Sequence, residues 1–364
     1  MSSSEAKFGR LPARSEAMLP VGFVKNHVIE ASDDFVDLAD MKIGGSAPHA
    51  FMLQTGDSST ATVLAGVNRT HRRLVNVEHT FVTDKTGLRW EDIHVKGAGY
   101  TPPQSREQLR AAHWYKKKKS YEGMYYGLLD EAEALRESNN AELFARLGIR
   151  SERVLCVTEL DELMDDDGPK PVSYFRSDST PTERRISDNF VPALLIRALR
   201  TNTRLSQMSG AGLPGERAPG EIRRAMELVS EEINEPGMRD DPRRFVRWFA
   251  GSLGHDLGVM HRNGYVHRWL HGQNVTLDAR IIDLDSVRSR KDFEAGNAVP
   301  EGAPFQSYSF GQFVEKDWED LRAAVVAGCE RVLEHTLGVD DTSVRPDAGH
   351  DFDIAYDAAY LPKP

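Results

Sequence analysis

A lysine closing an apolar run, two arginines seven residues apart, and an amide and a carboxylate nine residues apart carry the chemistry of this sequence. Lys96 ends the run Ile93-His94-Val95 and is followed by Gly97 and Gly99. An ammonium leaving a strand at such a turn can neutralise phosphate oxygens, and Glu137, in a helical stretch further on, can hold it in place. Arg197 and Arg204, with Arg200 between them, carry planar donor forks that match phosphate oxygens. Taken alone, the arginines describe a solvated basic face, and a Lys–Glu pair can be found in any sequence. Asn274 and Asp283 supply the oxygen atoms that Mg2+ or Mn2+ prefers. In this order along the chain, the set could hold phosphate groups and a divalent metal.

The metal-binding candidates lie in HRWLHGQNVTLDARIIDLDSV, residues 267–287. This stretch resembles the catalytic segment of protein kinases, H-R-D-L-x-x-x-N followed by a metal-binding Asp. His267, Arg268, Leu270 and Asn274 keep the frame, and Asp283 follows in the apolar run Ile281-Ile282-Asp283-Leu284. Trp269 stands where the catalytic acid is expected.

The elements that must position these residues divide at about residue 200. Residues 1–42 read as a polar arm and lead-in. Residues 43–200 form a β-rich nucleotide-binding lobe, and residues 201–364 a helical lobe carrying the metal-binding loop. From about 43 to 100, Gly-rich turns alternate with β-branched runs such as ATATVLAGV (60–68), RLVNVEHTFV (73–82) and EDIHVKGAG (91–99). A helix is expected over 127–147, a strand over RVLCVTEL (153–160), and a loop over the turn formers of 165–185. FVPALLIRAL (190–199) is apolar throughout, so periodicity does not distinguish strand from helix. After the Gly/Pro-rich link at 210–221, helices are expected in AMELVSEEI (225–233), in 245–264 and in 317–335. The fold class is therefore α+β, bilobal and protein-kinase-like.

Composition narrows the classes further. A chain of 364 residues with 40% hydrophobic and 28% charged residues suits a globular protein. A net charge of −10 speaks against general nucleic-acid binding. Two cysteines, Cys156 and Cys329, make no disulfide framework. No 18-residue apolar run and no signal-like leader is seen, and the expected location is the cytoplasm, with no membrane partner. His255 and His261 are six apart in a helical stretch and do not form a metal pair. The lysine-rich HWYKKKKSYEGMYY (113–126) reads more readily as a solvated charged loop than as a grip on an acidic ligand.

Four ordered motifs resemble the selenoprotein O family, kinase-fold proteins that transfer AMP. KGAGYTP is similar to the family's KGAGRTPY, and RESNNAELFARLGIRSERVLCV (136–157) to R-E-Y-x-x-S-E-A-M-x-x-L-G-I-P-T-T-R-A-L. LLIRALRTNTRL is similar to R-V-A-P-S-H-I-R, with the arginine spacing retained, and YVHRWLHGQN to F-x-H-G-V-M-N-T-D-N. The likeness covers roughly residues 90–290. It implies that Lys96, paired with Glu137, meets the nucleotide phosphates. Arg197 and Arg204 would hold the phosphates of an ATP bound in flipped orientation, and Asn274 and Asp283 would bind the metal.

The departure falls on the acid. Where the family has Asp before its metal-binding Asn, this chain has Gln273, whose carbonyl can orient a hydroxyl but cannot take its proton at neutral pH. Gln273 and His271 are the catalytic candidates, with Asp285 as a further base. Three readings stay open: AMP transfer to a hydroxyl or amine of a protein or small molecule, phosphotransfer from the γ-phosphate, and nucleotide sensing by a pseudokinase. The retained arginines favour the first; the missing acid favours the last.

Overall fold

In the computed structural model the described residues are 16–35, 47–49, 61–66, 74–76, 82–97, 128–165, 168–180, 185–208, 218–296, 307–337 and 345–361. The lysine-rich stretch 113–126 and the turn after Gly97 lie outside them.

The N-terminal part is built on one antiparallel sheet. Its strands are β1 (Glu16–Val24), β2 (Asn26–Ala31), β3 (Ala47–His49), β4 (Ala61–Gly66) and β5 (Leu74–Asn76). A small ribbon of β6 (Val82–Thr83) and β7 (Arg89–Trp90) precedes β8 (Asp92–Lys96). After β9 (Leu129–Asp130) and the helix α1 (Glu131–Leu147) comes β10 (Arg153–Leu160). The hairpin β11 (Glu162–Asp165) and β12 (Gly168–Pro171), the short helix α2 (Val172–Arg176) and β13 (Pro192–Leu199) complete it. The sheet order is β2-β10-β13-β8-β5-β4-β1-β3.

Two sequence expectations change here. The sheet reaches back to Glu16, so part of the expected arm is strand: β1 pairs with β4, and β2 with β10. The expected loop at 165–185 contains the end of β11, the paired strand β12 and α2, and β12 starts at Gly168, whose φ of 112° is one that Gly adopts freely.

β13 explains its own ambiguity. All of its residues are buried, since one face meets α1 and the helices and the other meets Ile93, Val95, Leu155 and Phe175. A strand covered on both faces has no polar alternation to display. β10 and β13 pair with each other, and β13 pairs with β8.

Helix α1 begins at Asp130, whose carboxylate accepts from the Ala132 N–H at 3.0 Å. It ends at Gly148, left-handed at φ 73°. Its inner face buries Ala134, Glu137, Ser138, Ala141 and Phe144. A glutamate on that face is the one sign in the helix that it does more than pack.

The C-terminal part is helical: α3 (Leu205–Met208), α4 (Ala218–Glu232), α5 (Pro242–Arg262), a ribbon of β14 (Tyr265–Val266) and β15 (Arg288–Ser289), α6 (Arg290–Glu294), α7 (Phe310–Leu337) and α8 (Arg345–Tyr360). Asp241 caps α5, with Pro242 at its first turn. α8 lies tightly on α5, where a Cβ at Gly254 or Gly258 would run into the carbonyls of Phe352 or Tyr356. Cys156 and Cys329 are both free and buried, and burial pushes the Cys156 thiol up to about 12.

Taken in chain order, β4, β5, β8, α1, β10 and β13 assemble as β10-β13-β8-β5-β4, with a helix between the lysine strand and the last two strands. A helical lobe with a loop between β14 and β15 follows. This is a bilobal, protein-kinase-like α+β fold.

Candidate functional site

The inward face of the sheet is set by register. His94 and Lys96 alternate with Ile93 and Val95, so the polar pair faces α1 while the apolar pair joins the outer core. Opposite His94 in the register is Arg197, and opposite Lys96 is Leu195. Gly97, at φ 92°, turns the chain immediately after the lysine, and a Cβ there would collide with the Ala193 carbonyl.

Lys96 and Glu137, both buried, form a direct ion pair between β8 and α1. The Lys96 ammonium also lies 3.5 Å from Asp283 Oδ1 and 3.4 Å from Asp285 Oδ1. Arg197 Nη1 reaches Glu137 Oε1 and Asp283 Oδ1, each at 3.0 Å, and pairs closely with Glu152. Lys96, Glu137, Arg197 and Asp283, which come from four separate stretches of sequence, therefore share one cluster.

Its electrostatics are uneven. Four carboxyl groups (Glu137, Glu152, Asp283, Asp285) surround the three cations Lys96, Arg197 and Arg204. Burial raises the Glu137 pKa above the ordinary carboxylate value, with Lys96 pulling against the rise and Glu152 and Asp285 adding to it. For Asp283, burial is outweighed by Lys96, Arg197 and Arg204, which hold its carboxyl well below the usual range. Burial likewise opposes Arg197, yet Glu152, Asp283 and Glu137 hold its guanidinium more firmly protonated than usual. Burial draws Arg204 down to about 10.

The loop that carries Asn274 is tied from below and behind. Asp317 of α7 accepts the backbone N–H groups of His267 at 2.6 Å and Arg268 at 3.2 Å through one carboxylate oxygen. The His267 ring donates from Nε2 to the Ile282 carbonyl at 2.9 Å, joining the loop to the segment before Asp283. Asn274 donates from its side chain to the Trp269 carbonyl at 2.9 Å, and its own carbonyl accepts from the Ile282 N–H at 3.0 Å. The loop thus brings Asn274 against the chain leading to Asp283. Both Arg268 (φ 70°) and Asp283 (φ 59°) are left-handed without being glycine, a conformation that persists where surrounding contacts over-determine it.

Arg204 stands apart from Arg197. Its Nη1 donates to the Gln273 carbonyl at 2.7 Å, so it joins the segment after β13 to the loop while its charge acts on Asp283. Gln273 and His271 sit together: the His271 Nδ1 accepts from the Gln273 N–H at 3.3 Å and caps a short turn. Burial, helped by His267, lowers the His271 pKa, which leaves its ring neutral at pH 7. Trp269 is 36% exposed, and with Gln273 at the other position neither expected place carries an acid.

Asn274 and Asp283 fit a hard divalent cation by donor type. Two protein oxygens suffice for a metal whose remaining ligands are phosphate oxygens and water, and the surplus carboxylate of the cluster suits a cation. Among the described residues no group of three or more His, Cys, Asp or Glu side chains is arranged to hold a metal by itself.

Sequence reasoning missed Glu152, Asp317 and His94. Glu152 lies just before an apolar strand and Asp317 within an amphipathic helix; each has the surface-charge signature of its neighbours. His255 and His261 form no pair: His261 is buried against Tyr356, its Nδ1 3.0 Å from the hydroxyl, while His255 meets Asp256.

The strand order and the Lys96–Glu137 pair decide the architecture. The fold is protein-kinase-like. No protein-family model matches this chain, and no curated protein matches it, so the resemblance to selenoprotein O rests on its motifs. Among solved structures it is similar to WaaP in complex with acyl carrier protein, with 14% identity over 81% of this chain and 86% of that one and a TM-score of 0.28. It is also similar to the Toxoplasma gondii specific rhoptry antigen kinase domain, with 11% identity over 80% and 74% of the two chains and a TM-score of 0.31. Among the described residues, no helix is long and apolar enough to cross a membrane.

Proposed function

We propose that this kinase-fold protein is an ATP- and divalent-metal-dependent nucleotidyltransferase that moves AMP to a hydroxyl or amine of a protein or small-molecule acceptor. The observation that carries the reading is the joining of Arg197 to Asp283 at 3.0 Å inside the Lys96–Glu137 cluster. A guanidinium there adds a planar phosphate grip next to the metal carboxylate, beyond the lysine that phosphotransfer ordinarily uses. A bound divalent cation supplies charge neutralisation for the phosphates. Asn274 and Asp283 would hold it; Lys96 and Arg197 would exchange part of their carboxylate contacts for phosphate oxygens, with Arg204 acting from the loop side.

In the transfer step the acceptor oxygen or nitrogen bonds to the α-phosphorus and the bond to the bridging oxygen breaks. Pyrophosphate leaves with that electron pair, and the acceptor proton passes to His271 or to water. Positioning and charge account for most of the rate in such transfers. A missing carboxylate base costs on the order of 10²–10⁴-fold, which slows the step without removing it.

Trp269 and Gln273 favour a second reading, a pseudokinase that binds nucleotide without turnover. Incubation with Mg2+ or Mn2+ and ATP labelled separately at the α and γ positions separates the two. Label moving from the α position onto the protein or an added extract supports AMP transfer. Transfer of γ label alone refutes it in favour of a kinase, and binding without transfer of either label leaves the pseudokinase.

A further inference from the structure

His94 sits within β8 with no exposure to solvent, and among the described residues neither ring nitrogen has a hydrogen-bond partner. Leaving a buried polar group unpaired costs about 1–3 kcal/mol, and the adjacent positions Ile93 and Val95 show what the strand uses where only packing is needed. The imidazole faces inward beside Lys96, directly opposite Arg197 in the register. Burial, followed by the charges of Arg197 and Arg204, keeps the ring neutral, while Asp283 acts in the opposite sense. A neutral imidazole offers one N–H donor. Placed between cations, it adds a hydrogen bond to an anion without adding to their mutual repulsion.

We propose that His94 is a phosphate-contacting residue of the nucleotide site, donating a ring N–H to an oxygen of the phosphate chain gripped by Lys96 and Arg197. This rests on the nucleotide reading above. Its neighbours argue for the phosphates rather than the base, because the groups around it are the cations and the metal carboxylate.

The test is equilibrium binding of Mg2+-ATP, Mg2+-tripolyphosphate and adenosine to the wild type, His94→Leu and His94→Gln, with melting temperatures taken without ligand. A hydrogen bond to a charged oxygen corresponds to about a 10- to 100-fold change in affinity. His94→Leu is expected to lose that factor for ATP and tripolyphosphate, to bind adenosine as the wild type does, and to melt no lower than wild type. His94→Gln, which keeps a donor, is expected to stay within about threefold. Equal ATP binding by wild type and both variants overturns the assignment and leaves the nucleotide reading standing. Weaker adenosine binding with unchanged tripolyphosphate binding overturns it in favour of a base contact. A wild type that binds neither ATP nor tripolyphosphate removes the nucleotide reading and the His94 assignment together.

Discussion

Two buried arginine–carboxylate networks lie among the described residues, and they are built on different terms. In the Lys96 cluster, carboxylates outnumber cations, the fully buried His94 has no hydrogen-bond partner among the described residues, and Asp283 is held left-handed. In the second network Arg150, Arg200 and Arg280 converge on Glu232 at the end of α4, with Arg280 also held by Asp278 at 2.8 Å. There the guanidiniums stack on rings as well: Arg280 lies 4.5 Å from the Trp90 ring centroid and Arg150 lies 4.9 Å from that of Trp248. The Arg150 and Arg280 forks meet both oxygens of Glu232 at 2.7 to 3.0 Å. Arg200 also reaches Glu231 at 3.4 Å, so three carboxylates match three guanidiniums, and balanced charge, paired geometry and aromatic faces make a clamp between the sheet, the loop and α4. A surplus of carboxylate around an unpaired imidazole makes a site prepared for something else.

The comparison breaks most sharply at Asp283. Asp283→Ala is expected to abolish metal-dependent nucleotide binding, by 100-fold or more on the scale of a lost metal ligand, with the fold retained in circular dichroism; unchanged turnover would refute the metal assignment. The corresponding cut in the clamp, Glu232→Ala, should instead lower stability by about 3–5 kcal/mol, because it leaves buried guanidiniums unpaired. Nucleotide affinity, measured at a temperature where the variant is folded, should change little.

Acid sharpens the same contrast. Burial opposes ionisation of Glu232, but Arg280 and Arg150 overcome it and bring the carboxyl to about 2. Its folded pKa lies below its unfolded value, so the unfolded chain takes up the proton first as pH falls. The stabilisation is complete above the ordinary value of 4.5 and is lost as pH falls toward about 2. The loss amounts to on the order of 3 kcal/mol. Urea melts between pH 5 and 2.5 should show this loss in the wild type and a flatter limb in Glu232→Gln.

A smaller effect is expected behind the loop. Asp317→Ala orphans two buried N–H groups, costing about 2–4 kcal/mol, and should lower turnover more than ATP affinity because Asn274 loses its support. Tyr356→Phe removes only the hydroxyl contact to His261 and should cost about 1 kcal/mol in the same melts. Equal losses from these two substitutions would place the strain in the α5–α8 packing rather than at the loop. Gln273→Asp works in the other direction and should raise AMP transfer in the α-label assay by restoring a base; no gain would mean that the acceptor side has diverged.

Much of this organisation is legible in the residues themselves. Lys96 before Gly97 and Glu137 in a helical stretch follow from chain-local spacing, and each lies in the element that its spacing predicted, whereas the strand-like run around Asp283 forms only an isolated bridge at Ile281 before a left-handed Asp283. The strand 153–160 is legible for the same reason, since Val154, Leu155, Cys156, Val157 and Thr158 make one short apolar and β-branched run. β13 was ambiguous because it is covered on both faces, and the 165–185 segment hid a hairpin behind turn-forming residues.

Tertiary structure alone decided which charges meet. Glu152 and Asp317 resemble surface carboxylates until folding closes distances of 45 and 50 residues along the chain, to Arg197 and His267. Only folding separates Arg197, drawn into the cluster, from Arg200, drawn into the clamp, although both leave the same strand region with the same side chain. Local sequence determines backbone conformation and the side of a strand on which a residue stands. The partner across the fold, and with it the difference between a clamp and a site, depends on long-range packing that no short spacing encodes.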